Sequence, residues 1–211
     1  RMQKPGETGL IRVLGRHRPD VILARNLAAI EFFRAQDVPI VADFSLNISN
    51  HRAAEWLRDC GAQRVTASYD LNRDQLLELV DSVPANWLEV VIHQHVPMFH
   101  MEHCVFCAVI SPGTDKTNCG RPCDHHVVGL RDRVSAVHTL QADVACRNTL
   151  YNATAQSGAE CVPELVRRGV GWFRLELLEE TAEQAVESIA IYQQLLTGKS
   201  SGQEVWQKLR A

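Results

Sequence analysis

Five of the seven cysteines and seven of the nine histidines lie between His93 and Cys146. The stretch reads HQHVPMFHMEHCVFC, then a polar loop, then CGRPCDHH, LRDR and ADVACRNTLYN. Its spacing is Cys104-x2-Cys107, an eleven-residue gap, Cys119-x3-Cys123, and 22 further residues before Cys146. Thiolates bind zinc in tetrahedral sets of four, often as two short C-x2-4-C pairs. They also bind iron–sulfur clusters, whose spacings are more varied. In a short C-x-x-C both sulfurs can face one centre, and Gly120 and Pro122 suit a tight turn inside the second pair. Zinc needs four ligands and the stretch offers five cysteines. That surplus favours an iron–sulfur cluster, with zinc as the alternative. Glu102 and Arg147 flank cysteines and are candidate cofactor-binding partners that hold and tune them. His103, His125 and His126 are further donors, or ordinary residues of a polar loop.

Other chemistries find less support. A serine nucleophile of the G-x-S-x-G type is absent. His100-Met-Glu102-His103 has the residue types of a zinc peptidase helix at the wrong spacing. Cys104 has His103 beside it, but neighbours in sequence rarely point at each other.

The elements that must position these groups follow a rhythm. Short apolar runs at 20–26, 38–47, 63–72, 87–96 and 170–178 alternate with helical patterns at 27–36, 49–61, 73–83, 157–169 and 181–198. Such alternation predicts a parallel sheet buried on both faces. Residues 1–19 read mostly as loop, with a short helical turn near Leu10–Leu14. Segments near 127–130 and 139–144 are candidate extra strands. Polar residues gather where the strands end: Arg25 and Asn26, Asp43, Ser45 and Asn47, Ser68, Asp70 and Asn72, His93 and His95, Arg174 and Glu176. Barrels of (β/α) type take their catalytic groups from such ends. Asp43, His93, His95, Arg174 and Glu176 are therefore the expected catalytic set, with Asp70 beside them. Arg174 is a candidate partner for an anionic substrate group. Asn47, Asn50 and Asn72 read as caps and turn formers. Five or six units fall short of the eight in a closed barrel of about 250 residues.

The expected fold is α/β: a partial or incomplete (β/α) TIM-like barrel, with a cysteine-rich insertion after the fourth visible strand. Residues 1–198 form the barrel portion, 93–152 the cysteine-rich segment, and 199–211 a C-terminal tail ending in a short helix. The chain of 211 residues is 45% hydrophobic with a net charge of −3. That predicts one sizeable core and no compositional bias toward nucleic acid. No apolar run spans a membrane and no leader is visible, so free thiols of a cytoplasmic protein are expected. Cys60 and Cys161 fall in helical patterns and read as small buried hydrophobes. The first residue is Arg1, which suggests a fragment or a processed form.

FHMEHCVFC, CGRPC, LRDR, ADVACRNTLYN and GWFRLELLEE together resemble the collagenase-like peptidase U32 family, and VADFSLN, ASYDLN and VIHQHVPMF are similar to segments upstream of that signature. The resemblance runs from about residue 20 to 198. It implies a barrel of the (β/α) type and an N-terminal half with further strands. It implies one of two activities. Some members are named for proteolysis of collagen-like substrates, without settled catalytic residues. Others are oxygen-independent hydroxylation factors acting on a transfer-RNA uridine, a ribosomal RNA cytidine or ubiquinone precursors, with a four-iron cluster on four cysteines. By position, Cys104, Cys107, Cys119 and Cys146 match the cluster cysteines, and Cys123 takes the place of an alternate. The first two cysteines are closer together than in the commonest signature. The expected function is thus iron–sulfur-dependent hydroxylation of RNA or a small aromatic precursor. The alternatives are a protease with a protein substrate, or a non-catalytic barrel fragment stapled by zinc or a cluster. The expected partners are that substrate and either the N-terminal half of the same polypeptide or a second copy of the chain, with no membrane.

Overall fold

The computed structural model describes residues 3–209. Within them the chain forms two compact units, one of residues 3–93 with 157–209, the other of residues 94–156.

The first unit is built on parallel strands. β1 (Ile22–Ala24), β2 (Ile40–Ala42), β3 (Arg64–Thr66), β4 (Leu88–Gln94) and β10 (Trp172–Leu175) lie side by side in that order, and the two-residue β9 (Gln156–Ser157) joins beside β4. The pairings are parallel, with Ile22 opposite Ile40, Val65 opposite Leu88, and Phe173 opposite Val90. Helices α2 (Leu27–Arg34), α3 (His51–Asp59), α4 (Arg73–Ser82) and α6 (Val162–Arg167) connect them, and α7 (Ala182–Leu196) and α8 (Gly202–Lys208) follow the last strand. Asn26, Asn50 and Asn72 cap α2, α3 and α4, each side chain accepting a backbone N–H three residues on. Those asparagines at strand ends start helices, as their preference for an extended backbone and a short acceptor dictates. Asn47 instead takes the left-handed backbone that ends the Phe44–Leu46 turn.

The core lies between sheet and helices, with Phe33, Ile40, Leu57, Val65, Leu88, Leu165 and Val205 buried. Val205 belongs to α8, so the segment after Gly198 is packed helix rather than loose tail. The strands are shorter than their apolar runs. Asp43, Ser68 and Asp70 fall just beyond them, in turns. Residues 8–16, expected mostly as loop, form α1 (Thr8–Arg16), none of whose residues is buried. Cys60 and Cys161 are half-buried against the core. The order from β1 to β10 is an open sheet, and the described residues close no barrel.

The second unit holds an antiparallel sheet in the order β5 (Pro97–Met101), β8 (Asn148–Tyr151), β7 (Val137–Ala142), β6 (Val128–Arg131). The candidate strands near 127–130 and 139–144 are therefore β6 and β7, and they add nothing to the parallel sheet. Their antiparallel hairpin needs only the tight LRDR turn, where the Asp132 carboxylate accepts N–H groups of Val134 and Ala136. Phe106, Leu140 and Leu150 are the centre of a small core. Among the described residues no helix is long and apolar enough to cross a membrane.

Candidate functional site

The five cysteines of the central stretch lie on four short pieces of the second unit. Cys104 precedes α5 (Val105–Ile110) and caps it: its sulfur accepts the Cys107 N–H at 3.4 Å. Cys119 follows the loop from residue 111. There Ser111 Oγ donates to the Cys119 carbonyl at 2.8 Å, and the Asn118 carboxamide oxygen accepts from Thr114 and Asp115. Gly113 is required at that crossing, since a Cβ there would lie 2.5 Å from the Asn118 carbonyl oxygen. Gly120 and Arg121 both take left-handed backbone, which turns the Arg121 N–H onto the Cys119 sulfur at 3.4 Å. Pro122 then starts the turn that carries Cys123. Cys146 sits in the β7–β8 turn, itself left-handed with φ 63°.

Cys104, Cys119, Cys123 and Cys146 line one cavity of about 410 Å³, together with Phe106, Lys116, Arg121, Pro122, Asp124 and Asp143. Cys107 is not on its wall. As the third residue of α5 it turns inward, and its thiol donates to the Gly113 carbonyl at 3.5 Å. The Cys104 sulfur thus caps the helix that carries Cys107, and of the pair Cys104 lines the cavity. Burial, then the neighbouring Cys119 and Cys104 sulfurs, raise the Cys107 thiol. Burial and Asp124 raise Cys123, while burial and Cys104 raise Cys146. Among the described residues no three His, Cys, Asp or Glu side chains converge on one point suited to a single metal ion.

Glu102 and Arg147 meet each other. Arg147, buried just before β8, bonds both Glu102 oxygens through Nε, at 3.0 and 3.1 Å. Asp143 organises the turn before it, accepting the N–H groups of Ala145 and Arg147. His95 Nδ1 lies 2.8 Å from the Asn152 carbonyl. His103, His125 and His126 are exposed and off the cavity wall. His138 accepts the Ala153 N–H at Nδ1, and its Nε2 faces Asp132 at 3.3 Å, so it braces the LRDR hairpin.

In the first unit the strand ends bring Asp43, Arg174 and Glu176 together. Asp43 is fully buried, between Arg174 at 2.5 Å and Arg25 at 3.0 Å. Arg174 also reaches Glu89 at 2.9 Å and Glu176 at 3.1 Å. Glu89 in turn bonds Arg64 and Thr66, each at 3.1 Å. Arg174 therefore meets three carboxylates of the chain itself. Burial raises the Glu176 carboxyl, against the pull of Arg174 and Arg25. Asp70 is exposed at the turn after β3. His93 stands in a different group: its Nδ1 is 3.3 Å from Tyr192 Oη and its Nε2 is 3.8 Å from Glu180. Tyr192 Oη also contacts Ser157 Oγ at 2.7 Å and donates to the Ile92 carbonyl at 3.0 Å.

Sequence reasoning missed Glu89, Arg64, Glu180, Tyr192 and Ser157. Glu89 alone left a signal, a single charge inside the apolar run WLEVVI. Tyr192 and Ser157 carry none, because a tyrosine inside a helical pattern and a serine at the start of one are usually structural.

The sequence model described as peptidase family U32 matches residues 7–210. No curated protein and no solved structure matches the chain. The matched span is nearly the whole sequence, and the chain belongs to that family.

Proposed function

We propose that this member of peptidase family U32 carries an iron–sulfur cluster on Cys104, Cys119, Cys123 and Cys146, and serves oxygen-independent hydroxylation of RNA or a small aromatic precursor. The supporting observation is the cavity of about 410 Å³ walled by those four thiols. A zinc ion would draw its sulfurs to about 2.3 Å from one point, whereas thiols around a cavity suit a larger cofactor. When bound, such a cluster supplies electron transfer at a potential set by its surroundings. The chain's own part is to hold and tune it. Four sulfurs ligate, Lys116 and Arg121 place positive charge beside them, and the N–H groups of Cys107 and Arg121 donate to the Cys104 and Cys119 sulfurs. The set implied by the resemblance has Cys107 in the place of Cys123; we favour Cys123 because it lines the cavity.

The same reading extends to the fold. The polar groups at the C-terminal ends of β1, β2, β4 and β10 sit where barrels carry their sites, which supports an incomplete TIM-like barrel. Neighbouring strands lie about 4.8 Å apart, so β2 and β10, three steps apart, would be about 14 Å from each other in a flat sheet. The Asp43–Arg174 contact across that distance supports a sheet that curls. Asp43, Arg174 and Glu176, with His93 beside Tyr192, are proposed to handle substrate and protons in that unit. The peptidase alternative is weaker, because Tyr192 stands between Ser157 and His93 and keeps that histidine from serving as the serine's direct base.

The test is purification without oxygen, followed by assay of iron, acid-labile sulfide and zinc. The expected result is a brown protein with roughly four irons and four sulfides per chain. A colourless protein with stoichiometric zinc would overturn the proposal in favour of a stapling site. Gelatin hydrolysis that survives Cys104→Ala and chelation would favour the peptidase.

A further inference from the structure

The residues after Cys146 tie it to the other end of the cavity wall. Arg147 holds Glu102, two residues before Cys104. Asn148 is fully buried at the start of β8, opposite Met101 of β5. Its Oδ1 accepts the Val105 N–H at 2.7 Å, on the first residue of α5. A buried primary amide has one acceptor oxygen and two donor N–H groups to satisfy. Because Oδ1 must face the Val105 N–H, the amide cannot be turned over: the reverse would set N–H against N–H. Nδ2 is thereby left pointing at the Cys104 sulfur, 3.9 Å away. The same sulfur accepts the Cys107 N–H at 3.4 Å. Two donors, one from the backbone and one from a side chain, thus converge on a single sulfur.

We infer that Asn148 is a positioning residue for the cofactor: it fixes Cys104 through the start of α5 and donates an N–H to its sulfur. The inference rests on the cluster reading above. Hydrogen bonds to ligating sulfurs offset their negative charge, favour the reduced cluster and raise its reduction potential. Partners one step behind a ligand typically weigh about 10–100-fold in metal affinity. Asn148 is fully buried, so the direction of its amide is set by its protein partners.

The full chain, loaded with ferrous iron and sulfide without oxygen, tests this. Asn148→Leu keeps the volume and adds no charge. It is expected to hold iron about 10–100-fold more weakly against a chelator, and to show a more negative potential at equal cluster content. Wild-type protein carrying ¹⁵N in its asparagine side chains adds a measurement that needs no variant to fold. Its reduced cluster should show a ¹⁵N coupling in pulsed EPR, and in folded Asn148→Leu that coupling should vanish. A loaded wild type without the coupling, or a variant with unchanged potential, overturns the role of Asn148 and leaves the cluster standing. A wild type that takes up neither iron nor sulfide removes the cluster reading, and this inference with it.

Discussion

Asp43 and Arg174, 131 residues apart in sequence, meet at 2.5 Å at the ends of two strands that are not neighbours. The aspartate is fully buried and the arginine side chain 17% exposed, so neither charge is shared with much water. Arg25 and Glu89 extend the pair on either side. A buried ion pair adds little net stability over an apolar one, but breaking it strands a charge. The array therefore fixes geometry more than it stabilises.

Asp43→Ala should accordingly be costly, by about 3 kcal/mol, because Arg174 loses its shortest partner. It still keeps Glu89 and Glu176, which holds the loss to the lower end of the range. For a chain of this size that is a fall of roughly 6–12 °C in Tm. Asp43→Leu combined with Arg174→Met should recover most of it. Thermal melts of the singles and the double decide the matter. A loss under about 1 kcal/mol for Asp43→Ala would mean a hydrated pair.

Tyr192 is the hub of its group, with His93, Ser157 and the Ile92 carbonyl around one hydroxyl. Tyr192→Phe leaves those partners short and should cost about 1–3 kcal/mol in denaturant melts. Burial pushes the Tyr192 phenol up to about 12, with the Ser157 bond opposing. A phenol raised above its unfolded value of about 10 stabilises the fold below that value and loses the contribution as pH climbs. The gap between wild type and Tyr192→Phe should be constant below about pH 10 and shrink toward pH 12. A gap that closes already near neutrality would show a solvated hydroxyl.

Glu176 sets burial against ion pairing. Burial raises its carboxyl, and Asp43 and Glu89 add to that, while Arg174 and Arg25 pull the other way. With the folded value above the unfolded one, the fold favours the protonated acid. Its contribution is present below about pH 4 and lost as pH rises through the folded value. Glu176→Gln should therefore gain on wild type as pH rises above about 4, by on the order of 1 kcal/mol. If the variant is instead the less stable protein at neutral pH, the 3.1 Å pair with Arg174 outweighs burial.

The parallel sheet was legible because its strands are apolar on both faces and its helices begin on asparagine caps. Asp43, Arg174 and Glu176 were legible as one group because polar residues that end parallel strands share one edge of the sheet. The antiparallel unit was harder to read. Its β6 and β7 have the same apolar runs as parallel strands, and only pairing tells them apart. The place of Cys107 was hidden because a C-x-x-C can straddle a helix start as well as a metal. The caps on α2, α3 and α4 depend on the nearest few residues, whereas the contacts of Glu89 and Tyr192 cross 23 to 100 residues.

Cys146 is the cysteine whose backbone is strained. At φ 63° it occupies left-handed space that suits glycine and asparagine. Asp143 imposes the turn, accepting the Ala145 and Arg147 N–H groups on its carboxylate and the Cys146 N–H on its carbonyl. A non-glycine residue held there costs on the order of 1–3 kcal/mol, while glycine costs about 0.5–1 kcal/mol in chain entropy. Comparing Cys146→Gly with Cys146→Ala separates strain from chemistry, since both lack the thiol. The glycine variant should be the more stable of the two by about 1 kcal/mol, read by denaturant melts of cofactor-free protein. Iron uptake should fall in both. Equal stability would mean that the turn carries no strain. Full iron uptake by the glycine variant would mean that the chain holds its cofactor without Cys146, and that the strained turn serves the fold alone.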